Sequence, residues 1–159
     1  MSVERWRRLL PGLWAGWLLC VALLATPAGF ALLARSDAAR VAVRMLAQEA
    51  TTSVALGVAL LLLERVAARR ALDTGGSQFS AGMMLALGAL LCTVAGYFAL
   101  QPMMVAARAG QGPLSFGQLH ALSVSFYGLK CLLVLALAWR AALPALAAAP
   151  ASAATPSSS

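Results

Sequence analysis

The sequence predicts an all-α fold, an integral membrane, antiparallel four-helix bundle. The first observation behind this is compositional. Hydrophobic residues fill 62% of the 159 positions, charged residues 11%, and mean hydropathy is +0.84, far from the balance of a soluble domain. The second is that four apolar runs each reach the length of about 20 residues that a helix needs to cross hydrocarbon. The third is that short polar or glycine-bearing stretches separate them, so consecutive helices return antiparallel. The helices are expected at residues 11–34, 38–68, 78–101 and 116–140, within a transmembrane domain of residues 1–141. Residues 142–159, rich in Ala, Pro and Ser, are expected to form a disordered cytoplasmic tail.

The first apolar run follows Arg5, Arg7 and Arg8. From Leu13 to Ala34 it is too long for the core of a signal peptide, and Leu18 and Leu19 ahead of Cys20 lack the small residue of a lipidation site. It reads as a membrane helix. Pro27, after Thr26, is expected to free a carbonyl and kink its last turns. Ser36 and Asp37 then make the connection and supply a cap. The second helix opens amphipathically, with Arg40, Arg44 and Gln48 four residues apart and Met45, Glu49, Thr52 and Ser53 on a neighbouring face. It is apolar from Val54 to Leu63 and ends with Glu64, Arg65, Arg69 and Arg70.

Asp73 to Ser77, containing Gly75 and Gly76, is a turn by composition. The third helix is expected from about Phe79, with Gln101 and Pro102 closing it. Its small residues Gly88, Cys92 and Gly96 recur every four positions, the spacing that lets helix backbones approach closely in lipid. Thr93, Tyr97 and Gln101 make a polar row beside them. After a glycine-rich loop from Arg108 to Pro113, Ser115 with Gln118 reads as a capping box that opens the fourth helix. Thr26 with Pro27 and Gln101 with Pro102 give the first and third helices a faint internal echo.

Charge sets partners and orientation. Twelve Lys and Arg against five Asp and Glu give a formal +7, but the basic residues flank apolar runs instead of interleaving with aromatics, which argues against nucleic acid. One end of the bundle collects Arg5, Arg7, Arg8, Arg65, Arg69, Arg70 and Arg140; the other has Arg35, Arg40, Arg44 and Arg108. The excess places both termini in the cytoplasm of a multi-pass protein of a bacterial inner membrane. Trp6, Trp14 and Trp139 then fall toward the inner interface. Cys20, Cys92 and Cys131 all lie in apolar runs and read as thiols without a disulfide framework.

Written on a helix, His120, Ser123, Tyr127 and Lys130 share an arc of about 80° on the fourth apolar run. Ionisable groups at membrane depth usually face a bundle interior or a cavity, so this polar stripe needs partners. For Lys130 the simpler expectation is snorkelling to the inner interface; the other is a polar path with Tyr127 and His120 across the bundle. Thr26, Arg44, Gln48, Glu49, Gln101 and His120 are expected in the outer half of the membrane, one or more from every helix. They read either as a structural network, with Glu49 neutralised by Arg44 or His120, or as an outer-leaflet binding pocket. His120 with Met103, Met104 and Met45 is chemistry suited to copper(I) or to His and Met ligation of haem. One histidine rules out bis-histidine haem ligation within the chain. No triad, phosphate loop, paired carboxylate or zinc spacing suggests a catalytic residue of a soluble type.

Leu13, Trp14, Ala15 and Gly16, then Pro27 and Phe30, the Phe98 to Met104 segment, and Phe116, Gly117, Leu119, His120 and Ser123 together resemble a bacterial family, domain of unknown function 4149, which looks like the relatives of eukaryotic transmembrane protein 205. The resemblance runs from about Leu9 to Ala141 and implies a four-helix membrane bundle; no activity comes with it. A more distant similarity to the copper-resistance D group implies copper uptake or haem-dependent chemistry, with His120, Met103 and Met104 as ligands. Three function classes stand open: a polar pocket handling a metal ion or small solute, a non-catalytic assembly subunit contacting a membrane partner or another copy through Gly88, Cys92 and Gly96, and a haem-dependent membrane oxidoreductase.

Overall fold

A computed structural model describes residues 3–72 and 80–147. The expected turn at Asp73 to Ser77, the expected start of the third helix near Phe79, and residues 148–159 of the expected tail lie outside the described residues. Four long helices result: α1, Val3–Leu32; α2, Arg35–Leu72; α3, Ala81–Arg108; and α4, Phe116–Ala147. Each is long and apolar enough to cross a bilayer.

The helix ends follow local chemistry. Leu33 leaves α1 in an extended conformation, and the amides of Asp37 and Ala38 bond back to the Ala34 carbonyl, so α2 begins at Arg35. Ser36 and Asp37, expected in the connection, are its first turn, with Asp37 placed to favour the helix dipole and paired with Arg40. Ser80 caps α3 by accepting the Met83 amide at 3.1 Å. That helix ends where Gly110 takes φ +72°, letting Gln111 N donate to Ala106 O and Gly110 N to Ala107 O, a Schellman closure. The capping box of α4 forms: Gln118 N donates to Ser115 Oγ, and Ser115 N to Gln118 Oε1 at 2.9 Å.

Two helices change pitch in mid-course. Alpha-helical geometry gives way to a π turn at Cys20–Ala25 in α1 and at Val94–Ala99 in α3. Both turns stand just ahead of a proline, Pro27 and Pro102. A proline cannot donate to the carbonyl one turn back and its ring crowds that carbonyl; a wider turn relieves both problems. The helices therefore continue beyond the prolines, α3 as far as Arg108 instead of closing at Gln101. Thr26 assists by donating to Val21 O at 2.8 Å. The sequence echo between the first and third helices is thus an echo of geometry.

Each helix packs against its neighbours in sequence, and α4 closes the ring on α1, leaving α1 with α3 and α2 with α4 as the diagonals. The core is built from Trp14, Ala15 and Leu18 of α1, Leu60 of α2, Ala86 and Ala89 of α3, and Val134 and Leu137 of α4. The small-residue row of α3 is used inside the chain. A Cβ on Gly96 would lie 2.6 Å from Phe126 Cβ and one on Gly88 3.2 Å from Leu133, and Cys92 is buried. The expected partner face is the seat of α4, a correction with a simple cause: close approach was needed first within the bundle. Leu13, Leu24, Leu32, Leu91, Leu132 and Trp139 face outward, an apolar exterior suited to lipid.

Candidate functional site

Glu49 and Lys130 begin from matched positions. Each stands 14 residues after the first residue of its helix, Arg35 or Phe116, and both helices start at the same end of the bundle. At about 1.5 Å per residue that places both about 21 Å along, level with each other well inside helices long enough to span a bilayer. Their helices are diagonal and do not pack on each other, so the two side chains meet through the centre. Lys130 Nζ donates to Glu49 Oε1 at 2.8 Å and to Oε2 at 2.9 Å. Glu49 is 2% exposed and Lys130 3%.

The other helices complete the site. Ser53, one turn beyond Glu49, donates its hydroxyl to Glu49 Oε1 and accepts from Trp14 Nε1 of α1 at 2.9 Å. Both oxygens of the carboxylate are therefore satisfied. Tyr127, one turn before Lys130, has its ring 4.5 Å from the ammonium and donates its hydroxyl to Leu18 O at 2.9 Å, at the entry to the α1 π turn. Ser123 donates to Gly96 O at 2.8 Å, inside the α3 π turn. Thr93 is buried and bonds back to Ala89 O. In hydrocarbon a backbone carbonyl released by a π turn has no water to turn to, and the polar stripe of α4 supplies donors beside both turns. Among the described residues no buried side-chain nitrogen or oxygen lacks a partner.

Three of the four stripe residues, Ser123, Tyr127 and Lys130, thus point inward. Lys130 is bonded at the centre instead of snorkelling. His120 does otherwise: it is exposed and stacks on Phe116 at a centroid distance of 5.8 Å, with the Arg108 guanidinium 4.4 Å from the centroid of the same Phe116 ring. Arg44 and Gln48 are also exposed, and Thr26, Gln101, Met45 and Met104 are half-buried, with Met103 exposed. Of the expected outer cluster only Glu49 enters the core, and its partner is Lys130 in place of Arg44 or His120. Among the described residues no group of three or more His, Cys, Asp and Glu is placed to hold a metal ion. Sequence reasoning passed over Trp14, read as an interfacial tryptophan, and the equal offsets of Glu49 and Lys130 were the signal that could have paired them.

A second polar cluster lies at the end of the bundle where α1 begins. Arg7 Nε donates to Glu64 Oε1 at 2.9 Å, Ser80 Oγ to Glu64 Oε2 at 2.6 Å, and Arg7 and Arg8 both reach Glu4, at 2.8 and 2.9 Å. Gly82 leaves the room: a Cβ there would come within 2.7 Å of Glu64 Oε2. The cluster borders a recess of about 160 Å³.

The sequence pattern described as Domain of unknown function (DUF4149) matches residues 9–112. That range covers most of α1, all of α2 and α3, and stops before α4, so Phe116, His120 and Lys130 lie beyond it. No curated protein and no solved structure matches the chain.

Proposed function

This chain belongs to the DUF4149 family, and from that premise we propose that it is a non-catalytic four-helix module of a bacterial inner membrane, both termini cytoplasmic, that holds one fixed helix arrangement for a membrane partner or a second copy. The closed Glu49–Lys130 pair carries this reading. Its charges are consumed inside the bundle, and Ser53, Trp14 and Tyr127 occupy the positions from which a ligand would approach. A buried ion pair contributes little net stability over an apolar pair of similar volume, and its best-attested use is to select one register among several. Joining the diagonal helices is a strong form of that selection. The orientation rests on the arginine excess at the end bearing Arg5, Arg7, Arg8, Arg65, Arg69 and Arg140.

The continuity of Trp14, Ser53, Glu49 and Lys130 across the core favours a second reading, a proton relay. Two measurements separate them. Exchanging the charges (Glu49→Lys with Lys130→Glu) should restore the folded bundle that either single change loses, as a register lock requires. Vesicles carrying the purified chain and an internal pH dye should show no proton flux above empty vesicles. A flux abolished by Glu49→Gln in a bundle that stays folded would overturn the module reading and install the relay.

A further inference from the structure

We propose that the recess at the α1-start end binds a phosphate-bearing anion, the headgroup of an anionic phospholipid in the adjoining leaflet. This stands on groups separate from the Glu49–Lys130 pair. Three arginines, Arg7, Arg8 and Arg140, and two glutamates, Glu4 and Glu64, line it, an excess of one positive charge. The carboxylates are already engaged. Both Glu64 oxygens are taken by Arg7 Nε and Ser80 Oγ, and both Glu4 oxygens by Arg7 Nη1 and Arg8 Nε. Each guanidinium has five N–H donors, so Arg7 and Arg8 keep donors to spare. Arg140 is exposed at the rim and makes no ion pair among the described residues. A basic recess with its acids neutralised has a net preference for an oxyanion, and Arg forks match phosphate oxygens.

Shape and position name the source. At about 160 Å³ the recess has roughly ten times the volume that one water needs, room for a phosphate group. Pro11 and Leu137 give it apolar wall, and Trp139, beside Arg140 in sequence, faces outward toward lipid. Basic pockets between membrane helices at this level are where anionic headgroups are held.

Native mass spectrometry of the full chain in detergent, with dioleoylphosphatidylglycerol or dioleoylphosphatidylcholine added, tests the proposal. The expected result is selective retention of phosphatidylglycerol, weakened about tenfold by Arg140→Gln, the loss of one charge-assisted contact. Ala141→Leu, which narrows the recess and keeps every charge, should weaken it as well, while Arg108→Gln at the opposite end should not. Inorganic phosphate at millimolar concentration should fail to displace the lipid. Equal retention of phosphatidylcholine, or unchanged retention in both Arg140→Gln and Ala141→Leu, overturns the site. Displacement by inorganic phosphate alone overturns the lipid source.

Discussion

Lys130 and Glu49 join α4 to α2, a diagonal pair of helices that do not otherwise pack on each other, with Nζ 2.8 and 2.9 Å from the carboxylate oxygens. A diagonal bond of this kind constrains every helix between its ends. If α2 slides by one turn, about 5.4 Å, Lys130 loses its acceptor and both charges stand alone in hydrocarbon.

Breaking the pair from one side should therefore be worse than removing it. Lys130→Met leaves the Glu49 carboxylate buried with only Ser53 as donor, and should destabilise the bundle by about 3–5 kcal/mol. Glu49→Leu combined with Lys130→Met removes both charges and should recover most of that loss. Thermal unfolding in detergent, followed by circular dichroism, measures both. A double variant as weak as the single one would mean that the polar network, and not charge balance, sets stability.

The π turns predict a smaller penalty. Tyr127→Phe keeps the ring beside the ammonium and deletes the donor to Leu18 O; Ser123→Ala deletes the donor to Gly96 O. Each removes one hydrogen bond to a backbone carbonyl where water is scarce, a cost of about 0.5–1.5 kcal/mol. Hydrogen exchange offers a sharper readout than melting. Amides around Cys20–Ala25 should exchange faster in Tyr127→Phe, and those around Val94–Ala99 in Ser123→Ala, each without the other.

Much of the fold was legible because lipid leaves few alternatives: a long apolar run must be a helix, and short connections must make neighbours antiparallel. The inward face of Ser123, Tyr127 and Lys130 was legible from helical period alone. Their partners were not. The topology puts Glu49 in the outer half and Lys130 toward the inner interface, whereas counting from the helix starts at Arg35 and Phe116 puts them level. His120 satisfies the same period but lies only four residues from the start of α4, where it reaches Phe116 instead of the core. Period gives the face of a helix and says nothing of how far the bundle extends along it. The row Gly88, Cys92 and Gly96 was recognised correctly as a close-contact surface, but a single sequence carries no mark of whether the contacting helix belongs to the same chain.

Glycine substitutions should reveal which contacts are internal. Gly96→Ala sets a Cβ 2.6 Å from Phe126 Cβ, an atom fixed to its backbone, so α3 and α4 must separate; the expected cost is about 1–3 kcal/mol. At Gly57 a Cβ would meet Leu90 Cδ2 at 2.6 Å and Cγ at 2.7 Å, with Trp14 Cη2 at 3.2 Å; the leucine side chain can turn about its own Cα–Cβ bond without moving backbone, so Gly57→Ala should cost less than Gly96→Ala. Gly12 and Gly16 have nothing within 4 Å of a built Cβ. Gly12→Ala and Gly16→Ala should melt at or slightly above the parent temperature, since Ala is the better helix former. A large loss at Gly12 or Gly16 would reveal a contact from outside the chain.

His120 supplies the last contrast, because the same residue was the leading ligand in the sequence and sits outside the closed core in the structure. Its ring stacks on Phe116, and Arg108 lies over the same phenyl ring. An exposed stacked residue contributes little to stability, so His120→Ala should shift unfolding by no more than about 0.5 kcal/mol. Phe116→Ala should cost more, because it removes the surface on which both His120 and Arg108 rest. Elemental analysis and an absorption spectrum of the parent and His120→Ala proteins, purified identically, address the metal reading directly. The expectation is that the two are indistinguishable. Stoichiometric copper, or a Soret band, present in the parent and lost in His120→Ala would move the functional centre from the Glu49–Lys130 pair to the loop end of α4.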